Sequence, residues 1–100
     1  MKLIQANPKS DNEQKIIVAL RVRERELRHG TTSFTKGGWD KWKHKKFRGS
    51  VVVSNAPENI MFARVSSSSE VEEGKLFEAF VGYLTRHCGH LIDTMTVYYR

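Results

Sequence analysis

What this sequence lacks excludes several classes of protein. It contains a single cysteine, Cys88, so no disulfide can form within the chain, which fits a reducing compartment. No apolar run approaches the roughly 20 residues of a membrane-spanning helix, and residues 1–10 lack the apolar centre of a secretory signal. We therefore expect a cytoplasmic protein that has no membrane as its partner.

Motifs for cofactors and for common catalytic sites are missing as well. The chain has no Gly-rich phosphate loop, no Ser-His-Asp arrangement and no paired carboxylates at helical spacing. His87, Cys88 and His90 are close in sequence, but a structural zinc site normally needs four ligands, and His29 and His44 are far along the chain. We predict no metal and no cofactor, and we favour a function that is not enzymatic.

What the sequence does contain is a globular composition with an uneven charge. Its 100 residues suffice for one compact domain over 1–100, and 39% of them are hydrophobic. The net charge is +6, with 13 Lys/Arg against 5 Asp/Glu in residues 1–50 and 4 against 6 in residues 51–100. A basic half of this kind indicates an attraction for polyanions, since net charge affects association rather than fold.

The clearest predicted helix covers residues 70–88. Ser69 and Glu72 have the spacing of a capping box, and Gly89 stands where a left-handed C-terminal cap is expected. Hydrophobic residues recur at helical spacing along it, which predicts a face packed on the core: they are Phe77, Phe80, Val81, Leu84 and Cys88.

Strands are predicted before and after this helix in the sequence. Residues 50–54 and 60–66 have strand composition, and the Pro- and Asn-containing segment 55–59 between them is typical of a hairpin loop. Residues 93–100 alternate and are rich in Thr, Val and Tyr, which predicts a closing strand. Residues 1–14 are mostly polar and contain a proline, so we predict a flexible N-terminal arm.

Residues 16–28 allow two predictions. As a strand they alternate, with Ile16 and Val18 on one face and arginines on the other; as a helix they would follow a capping box at 10–13 and end at Gly30. We favour the strand because Arg23 and Glu24 interrupt the helical apolar stripe before Leu27. The whole chain then predicts an α+β fold, one small sheet of three to four mainly antiparallel strands with the long helix on one face.

The segment 30–49 is predicted as a long basic loop that carries the binding site. Cations neutralise phosphates and release counterions, while aromatic rings stack on unpaired bases. The segment interleaves both kinds of residue: Lys36, Lys41, Lys43, Lys45, Lys46 and Arg48 with Trp39, Trp42, His44 and Phe47. Arg21, Arg23 and Arg25 would extend this surface from a neighbouring strand. The sequence therefore predicts a protein that binds RNA or single-stranded DNA.

Other functions remain open at this stage. Trp39 and Trp42 are three residues apart and would equally suit core packing, with the lysines as a solvated rim. The basic face could dock on an acidic partner protein, as an interaction or inhibitor module, since Trp and Arg are common interface anchors. A metal-independent ribonuclease would use His44 with Tyr98, Tyr99 and Arg100. An unpaired sheet edge would also allow a homodimer.

Overall fold

A computed structural model describes residues 1–9, 15–27, 32–35 and 40–99. These residues form an α+β fold with one sheet, as the sequence predicts. In chain order the elements are β1 Lys2–Pro8, α1 Ile16–Leu27, β2 Thr32–Thr35, β3 Asp40–His44, β4 Phe47–Ala56, β5 Ile60–Ser66, α2 Glu70–Cys88 and β6 Ile92–Tyr99, with short 3-10 turns at Pro57–Asn59 and Gly89–Leu91.

The sheet is larger than the three to four strands predicted. Over the described ranges it has six strands in the order β2-β3-β4-β5-β1-β6, and every neighbouring pair is antiparallel. The additional strands come from the two segments that were predicted to be an arm and a loop. The sheet therefore draws on nearly the whole chain.

The predicted N-terminal arm is wrong for residues 2–8, which form β1 between β5 and β6. Ile4 and Ala6 are fully buried, whereas Gln5 and Asn7 alternate with them on the other side. A strand that has one solvated face needs an apolar residue only at every second position, so its polar composition did not mean a lack of structure. Residues 10–14 lie outside the described residues.

The predicted basic loop is wrong in the same way. Residues 32–35 and 40–44 are β2 and β3, and β4 begins at Phe47, earlier than the predicted hairpin strand. Lys41 and Lys43, on either side of Trp42, made this segment resemble a basic loop. They are compatible with a strand because their side chains lie on its solvated face. Residues 28–31 and 36–39 lie outside the part of the chain that the structure describes.

Residues 16–27 form a helix, so the strand favoured from sequence is wrong. Ile16, Ile17 and Leu20 are buried at helical spacing, whereas Val18 and Val22, which the strand would have buried, are each 41% exposed. The apparent break in the apolar stripe is Glu24, which lies on the inner side and has polar partners there. The helix caps proposed at residues 10–13 and at Gly30 lie outside the described ranges.

The prediction of a helix over residues 70–88 is confirmed, and so is the hairpin between β4 and β5. The Ser69 side chain accepts a hydrogen bond from the backbone N–H of Glu72, as its position in the capping box predicts. The predicted left-handed cap is wrong, because Gly89 has φ −56° and continues into the turn Gly89–Leu91. That turn buries Leu91 against the core, which a left-handed exit would not do.

The core lies between the two helices and one face of the sheet. Every fully or nearly buried strand residue belongs to that face: Ile4, Ala6, Trp42, Val51, Val53, Met61, Ala63 and Val65. The indole of Trp42 meets the ring of Phe80 on α2 edge to face, with 5.2 Å between centroids. Both helices therefore cover the same side of the sheet and leave the other side to solvent.

Candidate nucleic-acid-binding face

The sheet presents a second face that no described helix covers. We call it the open face. Each of its described residues is partly or fully exposed. Its positions follow from the strand register, because directly opposite residues in an antiparallel pair share a face. They are Leu3, Gln5, Asn7, Ser33, Lys41, Lys43, Ser50, Val52, Ser54, Ala56, Ile60, Phe62, Arg64, Ser66, Thr94, Thr96 and Tyr98.

One row of this face crosses the sheet from β3 to β6. Its members stand directly opposite one another on successive strands, in the order Lys41, Val52, Arg64, Leu3 and Tyr98. Four strand spacings separate the first from the last, which is about 19 Å. Lys41, Arg64 and Tyr98 are exposed along this row. A cation, a second cation and an aromatic ring thus recur at intervals of two strands.

The next row supplies another ring and several hydrogen-bonding groups. Phe62, partly exposed, stands between Ser54 on β4 and Gln5 on β1, and Gln5 stands opposite Thr96. The side-chain amides are ordered, because Gln5 Nε2 donates to Asn7 Oδ1 at 3.0 Å and Asn7 Nδ2 donates to Thr94 Oγ1 at 3.0 Å.

The charge of the open face is positive. Among its seventeen described residues are three cations and no carboxylate, whereas the described acidic side chains lie on the helices and turns or, for Asp93, at the start of β6. An excess of positive charge on this face attracts anionic ligands.

Two of the predicted site residues, Lys41 and Lys43, are exposed on the open face. Lys45 and Lys46 are exposed in the turn between β3 and β4, at one end of the same strand. The structure thus brings four of the predicted lysines to one margin of the sheet. Lys36 and Trp39 lie outside the described residues.

Trp42 does not have the predicted role. Its side chain is 0% exposed, on the helix side of the sheet, and its ring lies 5.6 Å from that of Tyr83. Its Nε1–H donates to the carboxylate of Glu24 at 3.4 Å. Stacking of a base on Trp42 is therefore excluded, and core packing, the other use open to this tryptophan, is what the structure shows.

The predicted arginines do not join the lysines. Arg48 turns towards the first turn of α2, where its Nε is 3.7 Å from a carboxylate oxygen of Glu72. Arg21 and Arg23 are on α1, on the other side of the sheet, and Arg23 Nε donates to His87 Nδ1 at 3.2 Å. The backbone of Arg25 is also in α1, and its side chain lies outside what is described.

His44 and Phe47 are also off the open face. Their rings stack at 4.7 Å near the helix side of the sheet, and His44 Nδ1 accepts a hydrogen bond from the backbone N–H of Lys46 at 3.1 Å. Burial, and secondly the charge of Lys46, lower the pKa of His44 below its ordinary value. His44 and Tyr98 stand on opposite faces and four strands apart, so the ribonuclease set is not brought together. Arg100 lies outside the described residues.

The sequence did not point to Phe62, Arg64 or Tyr98 as nucleic-acid-binding residues, and Tyr98 was named only for the ribonuclease alternative. All three are in the half of the chain that carries a net negative charge, so bulk charge pointed away from them. The signal was present in the alternation of β5, where Met61, Ala63 and Val65 face the core and leave Phe62 and Arg64 on the other side. Only the register of β1 and β6 reveals that Tyr98 joins them.

The described ranges hold neither a cluster of metal ligands nor a membrane-spanning helix. They contain no group of three or more His, Cys, Asp or Glu residues placed to hold a metal ion. Within the same ranges, neither helix has the length and apolarity that would let it cross a membrane.

Comparisons of the chain with protein-family models, with curated proteins and with solved structures find no match. A function is therefore inferred from the chemistry of the open face alone.

Proposed function

We propose that this protein binds single-stranded nucleic acid across its open face. The observation that supports the proposal is the cross-sheet row in which Lys41, Arg64 and the exposed ring of Tyr98 follow one another at intervals of two strands. This proposal keeps the ligand predicted from sequence and moves the binding site from a loop to a sheet face.

Each kind of group on the face has a counterpart in a nucleotide. The cations match phosphates, the rings of Tyr98 and Phe62 match the faces of bases, and the amides of Gln5 and Asn7 match the edges of bases and the sugar hydroxyls. An exposed sheet surface with aromatic rings is a recurring platform for unpaired bases, whereas the bases of a duplex are already stacked on one another. A single strand is therefore the expected ligand.

The number of cations sets the expected salt dependence. Lys41, Lys43 and Arg64 are on the face, and Lys45 and Lys46 lie at its margin. Three to five phosphate contacts on a single strand give a slope of log K against log salt of about −2 to −3.5. Binding should consequently weaken by about twentyfold to a hundredfold between about 50 and 200 mM salt.

Fluorescence anisotropy tests the proposal directly. Labelled single-stranded RNA and DNA of about 12 nucleotides, and a duplex of equal length, would be titrated with the protein at several salt concentrations. We expect salt-dependent binding of at least one single strand, stronger than binding of the duplex. No salt-dependent binding of either single strand would refute the proposal.

Matched variants locate the binding face. Tyr98 and Tyr99 are adjacent in β6 and point to opposite faces, and Arg86 is an exposed arginine on α2. Tyr98→Ala should weaken binding by about 1–3 kcal/mol through loss of stacking, and Arg64→Ala should make the salt slope shallower by about 0.7. Tyr99→Ala and Arg86→Ala should leave binding unchanged. Equal losses in both members of a pair would show that the open face is not the site.

A further inference from the structure

We propose that β6 pairs with β6 of a second copy of this chain, antiparallel and about a two-fold axis at Thr96. The pairing would join the two sheets and place both open faces on the same side. The dimer itself does not depend on the proposed nucleic-acid function, whereas the role of the joined face does.

The first argument is that β6 is a long and regular edge strand. It ends the strand order, and within the described residues its one neighbour in the sheet is β1. Its eight residues exceed the usual strand length of about five to six. The pairing with β1 runs without a shift from Tyr99 to Thr94. An edge of this kind presents backbone N–H and C=O groups to another strand.

The second argument is that β6 lacks the usual protection of an edge over residues 94–99, because the irregularity in its register with β1 lies at its beginning, opposite Asn7 and Pro8. Soluble proteins normally blunt an exposed edge with lysine, proline, a bulge or a very short strand. The segment Ile92–Tyr99 contains no lysine, arginine or proline, and its one charged residue is Asp93 at the beginning. At the opposite end of the described sheet, β2 has only four residues. Of the two edges of the described sheet, β6 therefore offers the longer strand for pairing.

The third argument concerns the side chains that β6 leaves exposed. Tyr98 is 45% exposed and Tyr99 is 73% exposed, and these are the largest of the exposed hydrophobic side chains in the described chain. Met95 and Val97 are partly buried against the margin of the core. A second sheet edge beside β6 would cover this margin and extend the core.

The fourth argument identifies the second strand as another copy of β6. With Thr96 opposite Thr96, Met95 stands opposite Val97 on the helix side, and Thr94 stands opposite Tyr98 on the open face. Met95 and Val97 then form an apolar pair on each side of the axis, and Asp93 meets Tyr99, so no like charges face each other over residues 93–99. Like charges directly opposite would destabilise such a pair. The sequence of β6 is therefore complementary to itself in the antiparallel direction.

The consequence for binding is a longer face. A two-fold axis perpendicular to the sheet keeps both open faces on one side, and Tyr98 lies only two residues from Thr96 in each copy. In the dimer, the row from Lys41 to Tyr98 of one copy would continue into the same row of the second copy, which then runs from Tyr98 to Lys41. A nucleic acid long enough to contact both rows should bind more tightly than one that contacts a single row.

Sedimentation velocity without nucleic acid, at raised salt and over a wide range of protein concentrations, tests the dimer. A sheet-edge interface is small, so we expect a reversible monomer–dimer equilibrium. Thr96→Lys would bring two ammonium groups together at the axis and should give a monomer. Ser54→Lys, which adds the same charge at an exposed position of β4, should dimerise as the unaltered chain does. Circular dichroism would verify that both variants fold.

Crosslinking gives an independent readout. Opposite residues of an antiparallel pair have Cα atoms about 4.5–5.5 Å apart, within the range that a disulfide spans. Thr96→Cys should therefore form a covalent dimer under mild oxidation, whereas Ser54→Cys should not.

A chain that stays monomeric at every concentration, a Thr96→Lys variant that dimerises as well as Ser54→Lys, or equal crosslinking at both cysteine positions would each overturn the dimer. Arg64→Ala separates the two proposals, because it should weaken nucleic-acid binding and leave dimerisation intact.

Discussion

The indole N–H of Trp42 on β3 donates a hydrogen bond of 3.4 Å to the carboxylate of Glu24 on α1. The same carboxylate accepts a hydrogen bond of 2.7 Å from the hydroxyl of Thr32 on β2. One acidic side chain thus ties the first helix to two strands. Because a polar group inside a fold is tolerated when its hydrogen bonds are satisfied, Glu24 can occupy the inner side of α1.

Replacement of Trp42 should destabilise the fold strongly. The side chain is fully buried between α2 and the sheet, so Trp42→Ala should lower the free energy of unfolding by about 3–5 kcal/mol. Lys43→Ala, at an exposed position of the same strand, should change it by less than about 0.5 kcal/mol. Urea denaturation followed by tryptophan fluorescence or circular dichroism measures both. A small loss for Trp42→Ala would contradict the burial described here.

Two glycines should respond in opposite directions to alanine. Gly49 in β4 has φ +107°, and a Cβ there would overlap the backbone carbonyl oxygen of Ser66, so Gly49→Ala should cost at least about 1–3 kcal/mol. Gly82 is an exposed position inside α2 with open space around it, and Gly82→Ala should raise stability by about 0.5–1 kcal/mol. Thermal or urea unfolding of the two variants compares them, and shifts of the same sign would refute this expectation.

The ionisation of Glu73 should make the free energy of unfolding depend on pH. The α-amino group of Met1, 2.9 Å from one oxygen, and Lys2, 3.4 Å from the other, hold the pKa of Glu73 below its ordinary value although burial opposes them. The stabilisation is complete above the unfolded pKa of about 4.5 and is lost as the pH falls through the lower pKa of the folded state.

The variant Glu73→Gln tests this dependence. It should be less stable than the unaltered protein by about 1 kcal/mol at neutral pH, and the difference should shrink as the pH falls below 4.5. Glu78→Gln, at an exposed position of the same helix, should have an effect below about 0.5 kcal/mol. Urea unfolding at a series of pH values measures both, and a difference that stays constant with pH would contradict the assignment.

His44 should titrate below its ordinary pKa of 6.5. Burial is the larger cause and the charge of Lys46 the smaller, so His44 is neutral at pH 7 and adds no charge to the basic margin. An NMR titration of the ring protons should give a midpoint below 6.5. Lys46→Ala should raise this midpoint without restoring it fully, whereas Lys45→Ala should have a smaller effect. A midpoint at or above 6.5 would contradict this description.

The elements that the sequence predicted correctly are those whose pattern is long or whose turn chemistry is explicit. The helix of residues 70–88 has several turns and a capping serine, and the hairpin has Pro57 at its turn. Short strands such as β1 and β3 expose half of their side chains, so their polar residues resembled an arm and a loop. The helix α1 was missed because Glu24 breaks its apolar stripe, and the tertiary hydrogen bonds that compensate for this cannot be read locally.

The candidate site was predictable in its chemistry but not in its position. Clustering in sequence put Lys41, Trp42 and Lys43 together, whereas strand alternation sends the tryptophan to the core and the lysines to the open face. Arg64 and Tyr98 are far apart in sequence, and strand register places them on either side of Leu3 on the open face. This arrangement depends on the order of strands in the sheet, which no local pattern contains.

The location of β1 also has a consequence for how this chain folds. Residues 2–8 leave the ribosome before the rest of the described chain, yet they pair with residues of β5 and β6, which are made much later. The sheet cannot be completed until β6 has been synthesised. Such long-range pairing slows folding because the long chain segments between the paired strands must be ordered first. Until β5 and α2 have been made, Ile4 and Ala6 have no core to enter, so the strand that is synthesised first is among the last to be ordered.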